Sequence, residues 1–177
     1  MRASQPDAAL YYLARMIEGG EDPVFIARRL VILASEDIGN ANPMGLVLAN
    51  SAAQAVHLIG MPVARIILSQ ATTYLACSEK SNRAYEAINR AIEKVQETGN
   101  LSVPMNIRNA PTKAMKEWGY GKNYDYPHRT DTGWVPSQYL PDELEGQRFY
   151  FPKGTGVEKR FQEFLAERGK KEPENLP

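Results

Sequence analysis

Two kinds of chemistry are open to the residues of this chain, and their spacing separates the two. Between Arg108 and Arg129 stand five basic residues (Arg108, Lys113, Lys116, Lys122 and Arg129) against only Glu117 and Asp125. Trp118, Tyr120, Tyr124 and Tyr126 are interleaved with them. Cations meet phosphates and aromatic faces stack on bases, so a single-strand groove needs this mixture. Arg108, Lys113, Lys116, Trp118, Tyr120 and Lys122 are therefore the candidate DNA-contacting residues. The same spacing also suits aromatic anchors packed inside an irregular segment with a solvated cationic rim. The residues alone leave both readings open.

Catalytic patterns are weaker. Gly119-Tyr120-Gly121-Lys122 superficially suggests a phosphate-cradling loop, but a P-loop requires G-x-x-x-x-G-K-[ST], and here Asn123 follows the lysine with no strand before the glycines. A helix stop and a turn explain the glycines instead. Cys77 with His57 or His128 could pair a nucleophile with a base, yet a lone cysteine after an alanine-rich helix reads as small core filler. Glu36-Asp37 and Asp142-Glu143 read as solvated helix ends and a helix N-terminus. One cysteine and two histidines do not make a Cys/His zinc site. The expectation is no catalytic, cofactor or metal site in this chain.

The elements that must carry these residues change character near Gly99. Over residues 1–99 the pattern predicts a five-helix bundle in an all-α fold. Leu10, Leu13, Ala14 and Ile17 make the first apolar stripe, with Asp7 as N-cap and Gly19-Gly20 as the stop. Asp22-Pro23 starts a second helix, carried by Ile26, Leu30 and Leu33 as far as Gly39. Asn42-Pro43 starts a third with Leu46, Ala49, Ala53 and Val56 on one face. Pro62 opens a fourth with Val63, Ile67, Gln70 and Tyr74 in register. Ser81 caps a fifth, where Ala84, Ala87, Ile88, Ala91 and Val95 form the stripe and Glu86, Arg90 and Lys94 the outer face. Tyr11, Tyr12, Met16, Leu48 and Ile59 lie off these stripes and hint at a second covered face, against a partner or within the chain.

From Pro104 onward come eight of the twelve prolines, and from Trp118 onward eleven of the sixteen aromatics. Residues 100–169 thus read as an ordered, irregular aromatic and proline-rich wrap packed on the bundle. It holds two short helices: Thr112 to Trp118, capped by Asn109 with Pro111 near its start, and about Val157 to Arg168. Residues 170–177 read as a frayed polar tail. Twenty-one basic and 21 acidic residues cancel, which excludes a globally basic polyanion binder and leaves only the local patch. The single cysteine fits a reducing compartment, and no apolar run approaches a membrane span.

The order of motifs carries a resemblance. The run Asp7-Ala8-Ala9-Leu10-Tyr11-Tyr12-Leu13-Ala14-Arg15-Met16 is followed by Gly19-Gly20-Glu21-Asp22-Pro23, Ile26-Ala27-Arg28-Arg29-Leu30 and Ala34-Ser35-Glu36-Asp37-Ile38-Gly39. Ser81-Asn82, Val103-Pro104, Arg108-Asn109-Ala110-Pro111-Thr112-Lys113, Gly119-Tyr120-Gly121 and Tyr139-Leu140-Pro141 complete the set. From about Asp7 to Phe151 the chain resembles the C-terminal region of the replication-associated recombination protein A family, the bacterial RarA or MgsA group, related to the eukaryotic Werner-helicase-interacting ATPase.

The resemblance implies a helical module like a clamp-loader collar behind a AAA+ ATPase core, assembling a homo-oligomer, a tetramer. It implies DNA and single-strand-binding protein as partners at stalled replication forks, and a cytoplasmic, nucleoid-associated setting without a membrane. ATP and Mg²⁺ belong to the parent's ATPase core. Walker A and Walker B motifs are absent here, so the expectation is an oligomerisation and scaffold module that does not hydrolyse ATP alone. The alternative is a DNA-binding module using Arg108–Arg129.

Overall fold

The computed structural model describes residues 1–169, and the expected tail at 170–177 lies outside them. Among the described residues there are seven α-helices and no strand. The helices are α1 (Pro6–Glu18), α2 (Pro23–Leu33), α3 (Met44–Ile59), α4 (Ala64–Cys77), α5 (Arg83–Thr98), α6 (Lys113–Glu117) and α7 (Glu158–Ala166). The all-α reading holds. Backbone packing divides the chain into two compact units, Met1–Asn89 with the segment from Tyr150 on, and Arg90–Phe149. No helix is long and apolar enough to cross a membrane among the described residues.

In the first unit, local signals explain some helix starts and side-chain competition explains the rest. The Asp22 carboxylate accepts from the amides of Val24 (3.0 Å) and Phe25 (3.2 Å), with Pro23 opening α2 as its sequence predicts. At α1 the cap position falls on Gln5 and Pro6 opens the helix, so Asp7 sits inside the first turn instead of capping it. There its charge still complements the helix N-terminus. Asn42 does not cap α3 either. Its Nδ2 donates to the Tyr74 hydroxyl (3.1 Å) and to Ser78 Oγ (3.2 Å), tying the start of α3 to the end of α4. Helix α4 starts at Ala64 and not at Pro62.

Helix α2 does not run on to Gly39. It ends at Leu33, and a wide π turn, Ala34–Ile38, followed by a 3₁₀ turn, Gly39–Ala41, completes the element. This widening buries Ala34, Ile38 and Ala41 together. It also presents Glu36 and Asp37 to Arg2, at 3.1 Å and 2.6 Å.

The core is built largely from small residues. Helix α3 packs on α2 and on α4, and α1 packs on α4. Ala49 and Ala52 of α3, with Ala64 and Ala71 of α4, join Leu13, Ile26, Leu30, Val56, Leu68 and Leu75 in one buried cluster. The expected α4 stripe is therefore off by one residue. Ala64, Leu68, Ala71 and Leu75 face inward, whereas Val63 is exposed and Ile67 and Tyr74 are only partly covered. Alanine against alanine lets helices approach closely and keeps many interatomic contacts, and that outweighs burying the larger side chains. On α3 the inner face is Gly45, Ala49, Ala52 and Val56, and Leu46 points outward. Cys77, expected as core filler, is exposed at the end of α4.

The returning segment is fastened by a buried acid. Glu158 is fully buried, and its carboxylate accepts from the Tyr150 hydroxyl (2.6 Å), Ser81 Oγ and the Lys153 amide (2.9 Å). Burial, followed by the hydrogen bond to Glu158, pushes the Tyr150 phenol up to about 12. Gly156 sits at φ +54°, where a side chain would overlap the Ala41 carbonyl oxygen, and the next amide, that of Val157, donates to that oxygen at 2.9 Å.

The second unit has little core. Among its described residues Val135 alone is a buried apolar side chain. Its order comes from 3₁₀ turns at Met105–Ile107, Pro127–Arg129 and Asp142–Leu144, and from bonds such as Asn106 Nδ2 to Ser137 Oγ at 3.1 Å.

Candidate functional site

Helix α6 positions the basic-aromatic patch. Its cap is Thr112, whose Oγ1 accepts from the Met115 amide at 3.2 Å, and not Asn109. β-Region backbone at Thr112 and a hydroxyl three residues before the amide that it accepts from make the better cap. After the helix, the Gly119 amide returns to the Lys116 carbonyl and the Tyr120 amide to the Met115 carbonyl, both at 3.0 Å. Gly119-Tyr120-Gly121-Lys122 is thus a helix stop and turn, with no strand ahead of it. Gly121, at φ +69°, donates its amide to the Met105 carbonyl at 2.8 Å and leaves 3.3 Å between a would-be Cβ and the Arg108 carbonyl.

That closure brings Arg108, Trp118 and Tyr120 together. The Arg108 guanidinium carbon lies 5.2 Å from the Tyr120 ring centroid, and its Nε donates to the Val103 carbonyl at 2.6 Å. Trp118 meets Tyr120 edge-on, with centroids 6.2 Å apart and planes at 63°. Trp118 is 65% exposed, and Tyr124 and Tyr126 are about half exposed. Lys113, Lys116, Lys122 and Arg129 are exposed, and Arg108 and Tyr120 are partly covered. Three of the four rings are accordingly not core anchors. Chemically the patch can offer ring faces for stacking and ammonium groups for phosphates.

A second surface lies on α5: of the expected stripe, Ala84, Ala87 and Ala91 are partly covered, whereas Ile88 and Val95 are exposed. No residue of α5 is buried. Tyr85, Ile88, Ile92 and Val95 are 48–57% exposed. The expected outer row, Glu86, Arg90 and Lys94, is partly covered too. Arg83 pairs with Glu86 at 2.7 Å, and Arg90 Nη1 donates to the Phe149 carbonyl at 2.9 Å. The charged row is spent on the chain's own bonds, which turns the apolar row outward. Its 3-4-3 spacing, a heptad seam, was available in the sequence through Tyr85 and Ile92 but was not read. Exposed apolar residues also gather where α3 meets α4, at Leu58, Ile59, Met61, Val63 and Ile66. Tyr11, Tyr12 and Met16 of α1 are exposed as well, so no residue among those described covers them, while Leu48 packs on the core.

No group of three or more His, Cys, Asp or Glu side chains is placed to hold a metal among the described residues. His57 is exposed on α3. A family model described as "MgsA AAA+ ATPase C terminal" matches residues 3–168. The chain belongs to this MgsA C-terminal family. It is 46% identical over 166 residues to the replication-associated recombination protein A of Coxiella burnetii, covering 93% of this chain and 38% of that protein. The Escherichia coli K12 protein of the same name is 42% identical over 167 residues, covering 94% and 37%. The Bacillus subtilis one is 44% identical over 156 residues, covering 88% and 37%. The chain thus spans less than two fifths of these relatives' length. What matches is the C-terminal domain of the MgsA AAA+ family, named for replication-associated recombination, and not its ATPase core.

Proposed function

We propose that this MgsA C-terminal domain is the oligomerisation and scaffold module of a AAA+ ATPase acting in DNA replication, recombination and repair at stalled forks. It assembles a homo-oligomer, a tetramer, while ATP and Mg²⁺ are handled by the ATPase core of the whole protein. The observation that supports this most is the apolar seam on α5, turned outward by its own charged row. A contiguous apolar surface on a folded chain is the usual mark of an interface. Static light scattering of the purified chain over a concentration series tests the reading. Mass should rise towards a fixed multiple of 19.8 kDa. A monodisperse monomer at a hundred micromolar would overturn it.

A second reading rests on a different observation, the exposed rings of Trp118, Tyr124 and Tyr126 beside Lys113, Lys116 and Lys122. On it, the second unit binds single-stranded DNA weakly, and assembly multiplies weak sites into useful avidity. A single-strand-binding protein is the protein partner that fits this setting.

A further inference from the structure

Self-association leaves open which surface meets which, and two apolar features of this chain differ in shape. One is a ridge: the α5 seam of Tyr85, Ile88, Ile92 and Val95, all large side chains. The other is an open groove of about 420 Å³ along α3 and α4, lined by Met44, Val47, Ser51, Ala55, Ile67 and Ala71 among others. Small residues on part of its lining leave room that no side chain among the described residues fills.

We infer that the α5 seam of one copy seats in the α3–α4 groove of a second copy, so that association is head-to-tail. This rests on the proposed self-association and adds its geometry. Three observations favour a second copy as the occupant. The lengths match: α5 and α3 are 16 residues each and α4 is 14, so the helices run about 24, 24 and 21 Å at 1.5 Å per residue. The charges match: between Met44 and Cys77 there is no acidic residue and only His57 and Arg65 among the basic ones, neither of them lining the groove, and the seam is flanked by Ala84, Asn89, Ala91, Gln96 and Thr98. Docking then buries no unpaired charge and meets no like-charge repulsion. The shapes match as well, since large residues face a channel with small ones. Seam against seam would cover the ridge and leave every groove bare in water, whereas seam into groove covers both once per copy. Such a contact repeats from copy to copy until the ring closes.

The test mixes two single-face variants of the full chain. The seam variant carries Ile88→Glu and Ile92→Glu, and the groove variant carries Val47→Glu and Ser51→Glu. All four positions are exposed, so the helical circular dichroism signal and the urea midpoint of the monomer should be preserved. Sedimentation velocity should show each variant alone as a monomer, its self-association weakened more than about 100-fold by the buried charges. The equimolar mixture should form a one-to-one dimer, because one intact seam and one intact groove remain. If the parent associates but the groove variant still does so, or the mixture stays monomeric, the head-to-tail inference is overturned and the scaffold reading survives. A parent that stays monomeric throughout overturns both.

Discussion

The Tyr150 phenol holds its proton well beyond the ordinary range, and the effect on stability has a definite sign. A phenol raised to about 12 stays protonated in the folded chain while the unfolded chain, near 10, has let its proton go. The stabilisation is fully present below the unfolded value and is lost as pH rises through the folded one. Urea midpoints should thus fall between pH 10 and 12 on this account. Tyr150→Phe should flatten that part of the profile relative to the parent. Absorbance at the tyrosinate band supplies a second readout, since one late-titrating tyrosine of the nine should vanish in the variant. A late step that persists in the variant would place the raised group elsewhere.

At the scale of elements, the inverted roles of small and large residues make a quantitative contrast. Leu68 is fully buried against alanines that have little room to close a gap. Leu68→Ala should cost about 2–5 kcal/mol in urea unfolding. Ile92 is half exposed, so Ile92→Ala should change the stability of dissociated chain by less than about 0.5 kcal/mol while weakening association. Equal costs in dilute solution would mean that α5 buries its seam within the chain.

This contrast also marks how far sequence could be read. Asp22-Pro23 was legible because a cap and an N1 proline act within one turn. The all-α class was legible from periodicity, and the family from the order of short motifs. The α4 register was not, because a hydrophobicity ranking prefers Val63 and Ile67 to the alanines that actually pack. Asn42 was misread because its amide was already committed to Tyr74 and Ser78 across the fold. In the patch, the local charge excess could be read from composition. The contact of Arg108 with Tyr120 could not, since it depends on the Gly121 amide reaching Met105. Glu158 gave no signal at all: its partners Ser81 and Tyr150 lie 77 and 8 residues away.

For the molecule as a whole, zero formal net charge sets the size of any electrostatic binding. On the single-strand reading proposed above, the local patch is the group of cations that displaces counterions from DNA. Arg108 already donates to Val103, so of the candidate contacts Lys113, Lys116 and Lys122 are the ammonium groups left to meet phosphates. Three engaged cations give a slope of roughly −2 in log affinity against log salt for a single strand. Fluorescence anisotropy with a labelled oligonucleotide at several salt concentrations measures this directly. Lys113→Glu with Lys116→Glu should remove the binding and leave light scattering unchanged. Unaltered binding by the double variant would remove α6 from any DNA role.

The discontinuous first unit has a consequence for the order of events during synthesis. Residues 1–89 leave the ribosome long before Tyr150 and Glu158 exist, and the whole 90–149 unit is made in between. Asn40 must wait for Tyr150, 110 residues later, and Ser81 for Glu158. Until then the half-finished helical unit shows translating neighbours its α3–α4 groove without the last fastening of its own fold. On a polysome, where copies emerge side by side, nascent chains meet their siblings first. On the proposed self-association, assembly of this domain would then begin before any single copy is complete.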